Sequence, residues 1–144
     1  MVQNLISTKR YKELTSKQIK ELLEFLVDQS KEFSITANLD GVDFNPEIPQ
    51  SISNNFSQFT LFTLANYTLE SLVIEDDYIS FEAGFGSENF GSVCSMPYYA
   101  IFQISIENSI LFINPSATVA ENFEDDFDDI KQKERSMNAF KLNR

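Results

Sequence analysis

The sequence predicts an α+β domain, mainly β: one N-terminal helix packed on a small, strongly bent antiparallel sheet or barrel, with a disordered acidic C-terminal tail. Three observations carry this expectation. A single helical stripe occurs, near the front of the chain. Short alternating runs bounded by turn residues fill the middle. After Pro115 the apolar patterning stops and acids accumulate.

The helix is read from Ile19, Leu22, Leu23, Leu26 and Val27, which recur at the 3.6-residue spacing of one helical face. Thr15 and Gln18 have capping-box spacing, so the expected helix runs from about Ser16 to Lys31. Phe25 and Phe33 fall partly off the stripe. They either complete the packing of helix on sheet, the favoured reading, or form a second strip for a partner subunit.

The strands follow in order. Phe33 to Leu39 alternates before the Asp40-Gly41 turn signal, and Pro46 and Pro49 limit regular structure after it. Phe56–Leu64 and Thr68–Asp76 read as strands. Tyr78–Phe85 and Phe90–Met96 read as a hairpin across Gly-Ser-Glu-Asn, and Pro97 ends that run. "YAIFQISI" and "ILFIN" flank "ENS" as a second hairpin.

The stretch YISFEAGFGSENFG, Tyr78 to Gly91, holds three of the four glycines in the chain. Gly84 and Gly86 match the first two glycines of a dinucleotide fingerprint. Asn89 stands at the third, and no helical pattern follows. Between Glu32 and Ile130 there is neither lysine nor arginine. A surface that neutralises phosphates needs such side chains, so the central domain is not expected to bind nucleic acid. What remains for the glycines is either relief of twist in a hairpin or room for the close approach of another backbone.

Catalysis is not expected, and no catalytic residue, metal site or cofactor is assigned. The chain has no histidine, which removes imidazole general acid–base chemistry, and its acids fall in runs such as Glu75-Asp76-Asp77 that read as a solvated turn. The lone Cys94 lies in a strand-like run and reads as a core residue. No apolar run has the length of a membrane span, and "MVQNLISTKRYKEL" has no apolar leader stretch, so a cytoplasmic location without membrane contact is expected.

The end of the chain changes character twice. "AENFEDDFDD" carries six acids and no base, and reads as a linker. Lys131 to Arg144 then carries five bases and one acid, with Met137, Phe140 and Leu142 among them. A flexible spacer before a short basic and apolar segment has the composition of a tethered docking peptide.

In this three-part plan the chain resembles the stringent starvation protein B (SspB) family, adaptors that deliver tagged proteins to the ClpXP protease. The resemblance spans about Leu14 to Asn114. "ELLEFLVDQ" lies on the helix, "GVDFNPEIP" is similar to a Gly-Val-then-Pro segment, and "LESLVIEDDYISFEAGFGS" is similar to a Leu-rich strand, acidic turn and strand ending in Phe-Gly-Gly. "MPYYAIFQISIEN" is similar to the family's Pro, Ala-Ile/Val and Ile-Tyr-Ala run, and "SMNAFKLNR" to its unfoldase-contacting tail. Ser87 departs from Phe-Gly-Gly, and Gly84 stands where some relatives carry arginine.

The resemblance implies an SspB-like fold divided into an N-terminal extension over 1–14, a substrate-binding domain over 15–115, an acidic flexible linker over 116–130 and a docking tail over 131–144. It implies a non-enzymatic, cytoplasmic, homodimeric adaptor that holds ribosome-rescue-tagged proteins and tethers them to the ClpX unfoldase. The implied peptide groove contains Phe59, Phe81, Ala83, Gly84, Phe85, Gly86 and Val93. The implied docking residues are Met137, Phe140, Lys141, Leu142 and Arg144. The alternative is a small acidic dimeric chaperone for secreted effector proteins, which would not need the basic tail.

Overall fold

A computed structural model describes residues 2–124. It begins with a short helix, α1 (Val2–Ile6), and a long one, α2 (Lys9–Asp28). The start of α2 lies a full two turns before the expected Ser16. Thr8 is the cap: its backbone is extended, and its Oγ1 accepts the Tyr11 N–H at 3.2 Å. Thr15 has capping-box spacing but sits inside the helix. Its hydroxyl engages the Tyr11 carbonyl at 3.0 Å, a bond open to mid-helix threonine. The expected extension over 1–14 therefore contains helix. At the other end Ser30 takes a positive φ of 54°, and Lys31 N–H reaches back to Leu26 O at 3.2 Å, which stops the helix before Lys31.

The apolar stripe buries Ile19, Leu23 and Leu26. Each such side chain contributes about 1.5–3 kcal/mol when withdrawn fully from water. Of the two off-stripe phenylalanines, Phe33 is core, while Phe25 is 57% exposed and does not finish the packing. Val27, placed on the stripe by its spacing, is also exposed.

Eight strands follow: β1 (Phe33–Asn38), β2 (Asp43–Asn45), β3 (Phe59–Leu64), β4 (Val73–Ile74), β5 (Tyr78–Phe85), β6 (Phe90–Pro97), β7 (Ile101–Ile106) and β8 (Ser109–Ile113). Two short helices, α3 (Gln50–Ser53) and α4 (Asn66–Glu70), lie between them. The fold is α+β and mostly strand. The strands form two four-stranded antiparallel sheets, β3-β1-β7-β8 and β2-β6-β5-β4, in place of the single bent sheet expected.

The hairpins appear where the turn signals put them. In the central one the register runs from Tyr78 opposite Pro97 to Phe85 opposite Phe90, so Pro97 ends the strand as a member of it. The Phe56–Leu64 run is strand only from Phe59, because Phe56 turns into an aromatic cluster with its ring 6.1 Å from Phe44 and 5.7 Å from Phe85. The Thr68–Asp76 run opens as the end of α4 and keeps only Val73–Ile74 as strand. Ser71 ends that helix, its Oγ donating to Thr68 O at 2.7 Å and accepting Glu82 N–H at 2.8 Å.

The chain crosses between sheets four times, and two of the crossings are single turns of 3₁₀ helix: Leu39–Gly41 between β1 and β2, and Tyr98–Ala100 between β6 and β7. The two turns touch. A Cβ on Gly41 would lie 2.6 Å from the Ala100 Cβ and 2.8 Å from a ring carbon of Phe123. Only glycine fits this corner without movement.

Phe123 belongs to a segment expected to be linker. Residues 116–130 are not all linker: Pro115–Thr118 and Ala120–Phe123 are 3₁₀ turns in which Ser116, Ala117 and Asn122 are buried, and Val119 between them is buried too. Side-chain amides hold them. Asn38 Nδ2 donates to Ala117 O at 2.9 Å, Asn122 Nδ2 to Ser116 O at 2.9 Å, and Asn114 Oδ1 accepts Ser116 N–H at 3.0 Å. Ser116 Oγ lies 3.1 Å from Thr15 Oγ1, which ties the segment to α2. The rest of the proposed linker and all of the 131–144 tail lie outside the described residues.

One core unites these parts, with Ile35, Phe62 and Ile104 of the first sheet meeting Ile79, Phe81 and Met96 of the second beneath Leu23. Cys94 is fully buried, and burial, then the nearby Asp43 carboxylate, push its thiol up to about 12. Among the described residues no helix is long and apolar enough to cross a membrane.

Gly41→Ala should destabilise the fold by about 1–3 kcal/mol, the usual cost of overpacking a close contact. Gly91→Ala is the control, since nothing lies within 4 Å of a Cβ there. Urea denaturation of both variants checks this; equal midpoints would show that the corner is loose in solution.

Candidate functional site

The β5–β6 hairpin is longer than either strand beside it. β4 pairs only with Ile79 and Ser80 of β5, and β2 only with Val93 to Ser95 of β6. Beyond these contacts the tip of the hairpin stands clear of both neighbours, and a cleft of about 480 Å³ forms there. Ala83 and Gly84 line it from β5, and Gly91 and Val93 from β6. The walls are Asn45-Pro46 on one side and Tyr67-Thr68 on the other.

Alternation explains which residues line it. In β5 the odd-numbered positions Ile79 and Phe81 face the core, while Glu82 and Gly84 are exposed. Glu82 stands opposite Val93, and Gly84 opposite Gly91. The two facing glycines leave the middle of the cleft floor without side chains. Asn89, at a positive φ of 54°, folds its carboxamide over one of them: a Cβ on Gly84 would lie 1.7 Å from Asn89 Oδ1.

The backbone adds directional groups. Glu82 N–H points away from β6, since Ser71 Oγ accepts it at 2.8 Å. Outward and inward groups alternate in an antiparallel strand, so the N–H and C=O of Gly84, two residues on, are directed to the same side, past the end of β4. This is a short open sheet edge next to a cleft. On the other side Pro46 accepts from Ser92 Oγ at 2.8 Å, and proline has no N–H with which to extend β2.

Glu82 is the one carboxylate among the lining residues, and no lysine or arginine lines the cleft. Tyr67 Oη donates to Glu82 Oε2. That bond, then the charge of the carboxylate, raises the Tyr67 phenol above its ordinary value. The cleft therefore carries one negative charge, held by a phenol donor, beside an otherwise neutral lining. Among the described residues there is no group of three or more Cys, Asp or Glu placed to hold a metal ion.

The sequence-derived groove residues divide three ways. Ala83, Gly84 and Val93 come together in the cleft. Phe85, half-buried, and Gly86, exposed, lie next to it but do not line it. The Phe85 ring meets Phe44, Phe56 and Phe62, and Gly86, at a φ of +75°, makes the turn beneath Ile52. Phe81 and Phe59 are elsewhere. Phe81 is a core residue against Phe62, and Phe59 is on the other sheet with its ring 5.4 Å from Phe102. Phe81 and Phe85, which the resemblance implies for the groove, lie on the apolar face of β5, and that is the face that packs. Asn45, Tyr67, Glu82 and Asn89 were missed. Glu82 shares the Gly84 face by simple alternation; the other three reach the cleft only through tertiary contacts.

Compared with protein-family models and with curated proteins, the chain matches none.

Titration of tyrosinate absorbance should find Tyr67 ionising above the ordinary tyrosine range, isolated by difference from Tyr67→Phe. Glu82→Gln removes the negative charge that opposes a second one, so it should bring the Tyr67 midpoint down. An unmoved midpoint would mean that the pair does not form in solution.

Proposed function

We propose that the chain is an SspB-like adaptor that binds an extended peptide segment in the Gly84–Gly91 cleft and brings it to a protease. The observation that carries the reading is the open edge of β5 at Gly84 above a floor made of two facing glycines. An extended peptide added to a sheet edge gains main-chain hydrogen bonds that do not depend on its sequence, and an adjacent cleft selects its side chains. Glu82 and the lack of lining cations favour a peptide without an acid at that position.

The ligand by this reading is the tag of a ribosome-rescued protein, and the action is tethering without chemistry. The basic tail, Lys131 to Arg144, engages the ClpX unfoldase through Phe140, with Met137, Lys141, Leu142 and Arg144 beside it. A few apolar anchors supply most of the affinity of a short peptide, and charges aid encounter. A tether of this length raises the local concentration of bound substrate to the order of millimolar. A homodimer in the cytoplasm would carry two such tails.

Titration of the full chain with a rescue-tag peptide tests the cleft. Gly84→Val, combined with Asn89→Gly so that the carboxamide no longer competes for the space, should weaken binding at least tenfold while circular dichroism and melting stay near those of the parent. Unchanged affinity in the folded double variant removes the peptide from this cleft.

The tail is tested separately with a tagged reporter and ClpXP. Phe140→Ala should abolish stimulated degradation and leave tag affinity as it was. If deletion of Lys131–Arg144 also leaves degradation unchanged, the adaptor reading fails.

A further inference from the structure

The outer face of the first sheet carries no charge. Strands β1, β3, β7 and β8 contain no acid and no base, in a chain that is 23% charged with a net charge of −11. Two rows of directly opposed residues cross all four strands. One runs Leu61, Thr36, Gln103, Ile113, and the other Thr63, Ser34, Ser105, Ile110. Opposed residues share a face, and Ile35, Phe62 and Ile104 hold the core side, so both rows lie outside. The Ser34 and Thr63 hydroxyls lie 3.3 Å apart there.

A bulge shapes the apolar part of this face. Ile104 stands opposite Phe112 and Ser105 opposite Ile110, so Leu111 is an extra residue in β8. Alternation restarts after it, which puts Ile110 and Ile113 on the same side. Leu61, Ile110 and Ile113 are 60%, 55% and 51% exposed, with Phe59 and Leu111 exposed beside them. Large apolar side chains thus stand along both edges of the face, uncovered among the described residues, and neutral polar groups fill its middle. Apolar side chains gathered in this way mark an interaction surface.

Charge selects the occupant. Two chains of −11 repel one another, and they meet with least repulsion through a surface that has no charge of its own. The face is also self-complementary. Its hydroxyls both donate and accept, so they match their own copies, and apolar edge meets apolar edge across a two-fold axis. An anionic membrane would call for basic residues, and there is none between Glu32 and Ile130. The exposed Phe25 and Val27 of α2 make a poorer seam. Glu21, Glu24 and Asp28 flank Phe25 on the helix and would meet their own copies there.

We propose that the outer face of the β3-β1-β7-β8 sheet is a self-association surface, and that its occupant is the same face of a second copy. The face measures roughly 15 Å across its strands and roughly 17 Å along them. That is small beside the ~800 Å² per partner of a standard interface, so the dimer is weak and forms in the micromolar range. The inference does not rest on the adaptor reading.

Sedimentation velocity of the full chain tests it over about 1 to 300 μM, the span in which a small interface fills. The weight-average coefficient should rise from monomer towards dimer. Association should tighten at about 0.5 M salt, because screening weakens the repulsion between net charges and leaves an apolar contact intact. Leu61→Glu and Ile110→Glu, both at exposed positions, should each weaken it at least about tenfold by setting like charges across the seam. Phe25→Glu should leave it unchanged. Hydroxyl-radical footprinting of the parent needs no variant: Phe59, Leu61, Ile110 and Ile113 should become protected as concentration rises, and Phe25 should not. A monomer at every concentration assigns the face to another partner and overturns the proposal. So does association that loosens in salt, or that persists in folded Leu61→Glu and Ile110→Glu chains, or protection that falls on α2 instead.

Discussion

The contact of Gly41 with Ala100 is the constraint on which the architecture rests. The chain passes between its two sheets four times, and two of these passages, β1 to β2 and β6 to β7, share one corner. The turns that do so approach so closely that one must lack a side chain. Phe123 covers the contact, and buried amides of Asn38, Asn114 and Asn122 hold Phe123's segment in place. Buried polar groups are stabilising only when satisfied, and here each amide bonds backbone groups that would otherwise be orphaned. The Thr15–Ser116 bond carries the same network to the long helix. Helix, both sheets and the 3₁₀ turns over 115–123 thus meet at one point.

The cleft on the other side of the second sheet follows from unequal strand lengths. β2 and β4 are three and two residues long against eight in each strand of the hairpin between them. Pro46 stops one neighbour, and Ser71 capping Glu82 N–H stops the other. The glycines at the tip do different work. Gly84 makes room for the Asn89 carboxamide, Gly91 faces open space, and Gly86 supplies the positive φ of the turn. Of the two readings left open by sequence, the turn holds for Gly86, while the group that approaches Gly84 is a side chain, that of Asn89.

Charge separates the two clefts. The hairpin cleft holds a single carboxylate bonded to a tyrosine and no cation, whereas a second cleft, along α2, is lined by Lys9, Lys12, Lys17 and Lys20, four of the eleven basic residues of the chain. The net charge of −11 describes neither. The potential in each is set by local charges within about a Debye length, roughly 8 Å at physiological ionic strength.

The sequence alone determined what depends on neighbours along the chain. The helical stripe, the β5–β6 and β7–β8 hairpins and the core placement of Cys94 all follow from local periodicity and turn chemistry, and all are present in the structure. Tertiary contact decided the rest. Thr15 has the spacing of a cap, but its hydroxyl is taken by Tyr11 O and Ser116. Residues 116–124 are acidic at their end and look like linker, yet four buried residues and three amides order them. The division of the strands between two sheets brings Gly41 against Ala100, fifty-nine positions away, a contact that no local pattern records. Alternation marks two faces on β5 equally well, and only packing against Phe62 shows that the apolar face is core and the glycine face is the cleft. A local pattern records which residues share a face; what that face meets is set by chain segments far apart in sequence.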